Sequence, residues 1–301
     1  MRRLLAAILS VWVGFAVAGC AVDRPIGGSD TREPPVGPLL DVKDLRTFTL
    51  PLDSFRMTPA SLRSADQAQR VLVQACLRRF GFGYQLPMPS GQPAAVGYER
   101  RYGITDEEAA KVRGYHVPDE QNNQPDKDPP PEVSAVIQGS GQSSYNGVPV
   151  PEGGCAGEAR RRLLEGTTNV QDEHLADRLS VEDFGRTRAD SRVRDANGKW
   201  SVCMKQSGFD YSDPMKAIDD PGFRTPTASQ REIGVAVADV RCKKATNFVN
   251  LIASVETAYQ QRTVKNNADA LAVIKKNIAI QESNAAAILR ATTQSVRAGQ
   301  P

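Results

Sequence analysis

Histidine is nearly missing from this chain: only His116 and His174 carry an imidazole among 301 residues. General bases and metal sites draw on histidine more than on any other side chain, so there is little here to assemble either from. His116 stands beside Tyr115 and reads as a packed or solvated ring. His174 lies in a polar stretch with no cysteine or carboxylate at metal-ligand spacing, so no metal and no cofactor are expected. A charge surplus is missing as well. With 38 basic and 35 acidic residues, the whole-chain balance gives no argument for nucleic acid as a partner. Long apolar runs are scarce. The run from Leu4 to Val17 is too short to span a bilayer comfortably and ends in small residues, so it reads as an export signal and not as a membrane helix.

That signal covers residues 1–19, with Arg2 and Arg3 ahead of the apolar run and Val17-Ala18-Gly19-Cys20 behind it. Its removal takes two arginines, leaving 36 basic against 35 acidic residues in the mature chain. The last four residues resemble the lipobox of bacterial lipoproteins. In that family the cysteine is acylated, palmitate included, and becomes the new N-terminus, which here implies lipidation at Cys20. Two or three acyl chains on one residue anchor a protein stably where one would not. Residues 20–45 then read as a flexible tether, since 22–43 mix proline, glycine and charge without periodicity.

The stretch from Cys76 to Pro87, CLRRFGFGYQLP, returns as CMKQSGFDYSDP from Cys203 to Pro214. Both spell C-x4-G-F-x-Y-x-x-P. The spacing predicts that Gly81 and Gly208 end helices in the left-handed conformation that only glycine adopts cheaply. Phe82 then packs back on Leu77, and Phe209 on Met204. Self-similarity of this kind marks repeated supersecondary units, so the expected architecture is mainly α, with two related helical halves. The first helix begins near Thr58-Pro59, or at Ser64, and carries Ala68, Leu72, Cys76 and Phe80 along one face. A short helix follows Thr105-Asp106-Glu107-Glu108 and stops at Gly114. Asp190 or Ser191 caps a later helix with Val193, Ala196, Trp200, Cys203 and Met204 on its apolar stripe.

A helical domain over 46–228 is interrupted by residues 119–151, whose proline, glutamine, asparagine, glycine and serine predict a disordered insertion. The Gly153-Gly154 pair behind it lacks the lysine and Ser/Thr of a phosphate-cradling loop. Ser229 and Glu232 spell a capping box opening the last region, 229–296. From Ile233 to Ser295 there is no proline and no glycine after Gly234. The pattern fits one continuous helix, preferred here, or a coiled-coil-like hairpin hinged near Asn266-Asn267. Residues 229–301 hold ten basic residues against five acidic ones. The apolar stripe past Leu271 has few residues left to pack on, so Lys265, Lys275, Lys276 and Arg290 mark a candidate contact surface for an anionic envelope polymer or lipid, or for a partner's helix.

Cys20 aside, Cys76, Cys155, Cys203 and Cys242 form an even set in an exported chain, which reads as two disulfides with three connectivities. Each half offers a cysteine one turn before a Gly-Phe stop and a later one near the start of a basic helix, and this parallel selects Cys76–Cys155 and Cys203–Cys242. A nucleophilic cysteine would need a free thiol beside a histidine, and zinc a closer spacing.

Taken together, the lipobox, the RYGITD-to-YH segment (Arg101 to His116), VPEGGCAGEARRRL (Val150 to Leu163), CMKQSGFDYSDP and AVADVRCKK (Ala236 to Lys244) resemble a group of exported lipoproteins of actinobacteria without assigned activity. The resemblance implies the extracytoplasmic face of the cell membrane and implies no reaction. Two classes follow for function. One is a non-catalytic envelope lipoprotein that binds or scaffolds, with the membrane as partner through the lipid on Cys20 and an envelope polymer or membrane protein as a further one. The alternative is a cell-envelope hydrolase or cell-wall-modifying enzyme using a carboxylate pair assembled in space.

Overall fold

The computed structural model describes residues 32–87, 98–117 and 128–297, with side chains as far as residue 294. The chain divides into two compact units, Met1–Arg32 and Glu33–Pro301. All but the last residue of the first unit lies outside the described residues, Cys20 and the export signal with it. Among its described residues the second unit carries ten α-helices: α1 (Pro59–Arg79), α2 (Glu107–Arg113), α3 (Pro131–Gln138), α4 (Gly154–Leu163), α5 (Leu175–Ala189), α6 (Ser191–Gln206), α7 (Pro214–Ile218), α8 (Gln230–Ala245), α9 (Phe248–Asn266) and α10 (Ala268–Arg297). A two-stranded hairpin, β1 (Ser144–Tyr145) with β2 (Val148–Pro149), lies between α3 and α4, and a 3-10 helix covers Pro51–Phe55. The fold is mainly α, as the periodicities predict.

Local signals set the ends of the two repeated helices. The Thr58 hydroxyl accepts the Ser61 N–H at 3.1 Å with Pro59 in the first turn of α1, and Asp190 accepts the Arg192 N–H at 3.0 Å ahead of α6. Both helices stop as expected. Gly81 has φ 83° and Gly208 φ 90°. The Phe82 N–H reaches the Leu77 carbonyl at 3.1 Å and the Phe209 N–H reaches Met204 at 2.9 Å, which satisfies carbonyls the helix ends would otherwise leave open.

Two disulfides staple the unit, Cys76–Cys155 joining α1 to α4 and Cys203–Cys242 joining α6 to α8. The pairing within halves is the one expected, but the parallel that selected it is only half kept. Cys155 opens α4, whereas Cys242 sits in the last turn of α8. In the chain-entropy model, loops of 79 and 39 residues contribute roughly 4 kcal/mol each.

Three expectations are corrected. The stretch 119–151 is not a disordered insertion where it is described, from residue 128 on. Val133 and Val136 of α3 are buried against Val73, Leu77, Phe80, Cys155 and Ala159, and Asn146-Gly147 makes the tight hairpin turn with positive φ at both residues. The proposed tether is also no tether beyond Arg32. Glu33 accepts the backbone N–H and the hydroxyl of Ser191, each at 2.6 Å. The Leu40 and Val42 N–H groups are then tied to α9 through Ser254 Oγ at 2.8 Å and Asn250 Oδ1 at 2.9 Å. The last region, finally, is neither one helix nor a separate domain. It breaks at Asn247, which has φ 54°, and at Asn267, the expected hinge, whose side chain donates to the Thr263 carbonyl at 2.8 Å.

What the three C-terminal helices pack against explains why they do not run on. α8 and α9 form the main core with α6 around Trp200, Met204, Val235, Val240, Val255 and Tyr259. The 30-residue α10 lies along α1 and α4 and over the 3-10 helix. Leu271, Ile274 and Ala285 are buried there, so the apolar stripe past Leu271 is covered by the chain itself. No helix among the described residues is long and apolar enough to cross a membrane.

Candidate functional site

Residues 98–117, which include the RYGITD-to-YH segment, lie as a strap across α8 and α9. The helices receive it with charged side chains. Glu232, Asp239 and Lys243 recur at steps of seven and four, which puts them on one face of α8, and all three are buried. Lys243 Nζ donates to Asp239 Oδ2 at 2.9 Å and to the Ile104 carbonyl of the strap at 3.0 Å. The Trp200 indole N–H donates to Asp239 Oδ1 at 2.9 Å and the Tyr115 hydroxyl to Oδ2 at 3.2 Å. Asp239 thus gathers three donors from three elements. Burial pushes its carboxyl up and the Lys243 ammonium down, each against the attraction of the other.

A second carboxylate holds the other end of the strap. Glu256 on α9 accepts Arg101 Nε at 2.8 Å and the Tyr102 hydroxyl at 2.9 Å, with Gln260 Nε2 at 3.1 Å. The Arg101 guanidinium lies 4.5 Å from the Phe184 ring centroid, a cation–π contact. Burial opposes its charge, and the bonds to Glu256 outweigh burial, so its pKa is raised. Behind them, Thr263 Oγ1 donates to the buried Asp183 Oδ1 at 2.9 Å, tying α9 to α5.

Glu232 departs from its expected role. Ser229 caps α8 by accepting the Glu232 N–H at 3.1 Å, but the Glu232 side chain does not reach back to complete a capping box. It turns into the interior and accepts the Tyr115 N–H at 2.8 Å and His116 Nδ1 at 2.9 Å, while its second oxygen is buried without a partner. Gly114 makes the approach possible, because a Cβ there would stand 2.6 Å from Glu232 Oε1. His116 is therefore neither free nor merely packed. Its Nε2 faces the Thr225 carbonyl at 2.6 Å, so both ring nitrogens face acceptors, and only an imidazolium donates to both. Those two bonds raise its pKa, the Thr225 carbonyl first and Glu232 second.

Beside the strap opens a cleft of about 530 Å³ between residues 42–46, the strap and the α8–α9 junction. Its basic residues are Lys43, Arg46, Arg100, Arg113, Lys243 and Lys244, and its acidic ones are Asp44, Glu99 and Asp106. Asp44 is engaged by Arg46 at 3.0 Å, Asp106 caps α2 through the Glu108 and Ala109 N–H groups at 2.9 and 3.1 Å, and Glu99 lies 3.8 Å from Arg46. A smaller, more apolar hollow of about 370 Å³ lies among Arg101, Phe184, Val193, Met215, Phe248 and Ile252.

Among the described residues no group of three His, Cys, Asp or Glu side chains could hold a metal ion. His174 is exposed and 3.7 Å from Asp177. No family model matches the chain. No curated protein and no solved structure matches it either.

Lys265, Lys275, Lys276 and Arg290 are all exposed. They lie on two helices, Lys265 on α9 and the others on α10, and Lys275 reaches over the Phe55 ring at 5.8 Å. Of the five acidic residues counted with them, Glu232, Asp239 and Glu256 are withdrawn into the interior. The sequence reading missed those three together with Lys243. A signal was present: 232, 239 and 243 share a helical face with the buried Val235, Ala236 and Val240, where a solvated charge has no place.

Proposed function

We propose that this chain is an exported lipoprotein, held by a lipid on Cys20 at the extracytoplasmic face of the cell membrane, where it acts as a non-enzymatic binding or scaffold component. The observation that carries this reading is the use of cysteine. Cys76, Cys155, Cys203 and Cys242 are joined in two bridges, which fits an oxidising compartment, and Cys20 is the one cysteine of five left over, at the end of the lipobox. The interior carboxylates support a scaffold, because Glu232, Asp239 and Glu256 each hold the strap to α8 or α9. The partner is an anionic envelope polymer or a membrane protein, met by the exposed Lys265, Lys275, Lys276 and Arg290.

Metabolic labelling with a palmitate analogue, followed by fractionation, tests the anchor. The wild type is expected in the membrane fraction with label, and Cys20→Ala unlabelled and released. Label retained in Cys20→Ala would overturn the assignment. For the surface, the released Cys20→Ala chain should co-sediment with cell envelopes at low salt and lose that binding as salt rises. Binding that ignores salt and replacement of the four cations by glutamine would remove them from the interface.

A further inference from the structure

The cleft beside the strap has an unbalanced charge at its floor. Its three acidic side chains are taken up by Arg46 and by the cap of α2, as described above. Arg100, exposed at the cleft, donates to the Tyr115 carbonyl, and among the described residues no ion pair joins it to a carboxylate. Arg113 comes from the last turn of α2, and its Nε is buried with no hydrogen-bond partner. Both arginines line the cleft, and the pKa of Arg100 is lowered, first by desolvation and then by the charge of Arg113, against the attraction of Glu99. Lys244, one residue beyond the buried Lys243, stands exposed at the rim, and no carboxylate among the described residues pairs with it.

Like charges held together by a fold without a counter-ion raise its free energy, and an anion placed between them removes that cost. We propose that this cleft binds a phosphate group, carried by a soluble ligand or a lipid headgroup, between the guanidiniums of Arg100 and Arg113 and the ammonium of Lys244. Three cations lining one cleft suit a dianionic phosphate better than a single carboxylate. The planar forks of two arginines match phosphate oxygens in pairs, with lysine as a point charge. The volume of about 530 Å³ falls within the range of small-ligand sites. Arg100 is at once a ligand contact and a brace for the strap, so occupancy of the cleft is expected to stiffen residues 98–117. The inference supplies a ligand class for the binding role proposed above. It does not depend on the anchor, so failure of labelling at Cys20 and failure of phosphate binding are separate results.

The test uses the full lipidated chain in non-ionic detergent micelles, with glycerol phosphate as the probe and thermal unfolding as the readout. Glycerol phosphate is expected to raise the midpoint of the wild type. The Arg113→Gln/Lys244→Gln variant should need about tenfold or more of the probe for the same shift, and Arg113→Lys, which keeps the charge and loses the fork, should fall between. Arg194→Gln/Lys199→Gln, two exposed cations of α6 outside the cleft lining, should respond as the wild type does. In phosphatidylcholine vesicles, an added fraction of phosphatidylglycerol that weakens the response assigns the phosphate to a lipid headgroup; an unchanged response assigns it to a soluble ligand. No shift in the wild type, equal shifts in the cleft and α6 variants, or an equal shift with citrate would overturn the proposal.

Discussion

The two disulfide-stapled halves begin from the same motif and build different interiors. Around Cys76–Cys155 the core is apolar: Val73, Leu77, Phe80, Val133, Val136 and Ala159 pack together, with no buried charge among the described residues of this cluster. Around Cys203–Cys242 the helices bury Asp239, Lys243 and Glu232 and use them to hold a strap. One position accounts for much of the difference. Three residues before the motif cysteine stands Val73 in the first half and Trp200 in the second, and an indole N–H offers Asp239 a donor that an isopropyl group cannot. The motif therefore fixes how each helix ends, while the residues one turn earlier decide what the helix faces. Tyr211 donates to Asp220 at 2.6 Å, and burial with that carboxylate pushes its pKa up to about 12.

Truncating that position in each half should have the largest effect. Trp200→Ala should cost about 3–5 kcal/mol, because it removes a fully buried ring and leaves Asp239 short of a donor. Val73→Ala should cost about 2 kcal/mol, having only methyl groups to lose. Urea unfolding of the two variants checks this, and equal losses would mean that the indole bond contributes nothing. Replacing each disulfide by a serine pair should cost roughly 4 kcal/mol, with Cys76–Cys155 the larger by about 0.6 kcal/mol from its longer loop. The reverse order would place strain or residual structure above loop length.

The smallest effect is the pH dependence of His116. Its pKa is raised in the folded chain, so the stabilisation is fully present below the ordinary value of about 6.5 and is lost as pH rises through the raised one. Between mildly acidic and mildly alkaline buffer the unfolding midpoint of wild type should fall more than that of His116→Gln. A parallel pH dependence in both would assign the titration to another group.

Much of the fold was legible, and the reasons are local. Thr58, Asp190, Gly81 and Gly208 act through hydrogen bonds within a few residues, so their spacing alone predicts them. The cysteine pairing was legible because the motif sets two cysteines in equivalent places. What was hidden depended on contacts distant in sequence. α3 looked like part of a polar linker, since Val133, Val136 and Ile137 are three apolar residues among many polar ones and only α1 and α4 give them something to bury against. Its hairpin carried an Asn146-Gly147 signal that composition outweighed. Asparagine tolerates the left-handed conformation that Asn247 adopts, but the apolar periodicity running through it outweighs that signal. The candidate site was least legible. Glu232 and Asp239 share a helical face with Val235, Ala236 and Val240, which signals burial, but what they and Glu256 hold, a strap 116 to 155 residues away in sequence, has no local signal.

The strap is held to α8 by a buried ion pair, Lys243 with Asp239, that acts as a unit. A double-mutant cycle on Lys243 and Asp239 addresses it directly. Lys243→Met alone leaves a buried carboxylate and should cost about 3–5 kcal/mol. Adding Asp239→Leu removes that orphaned charge and should recover part of the loss, so the double variant is more stable than Lys243→Met. Losses that simply add would show that the two residues do not act together, and would contradict the account.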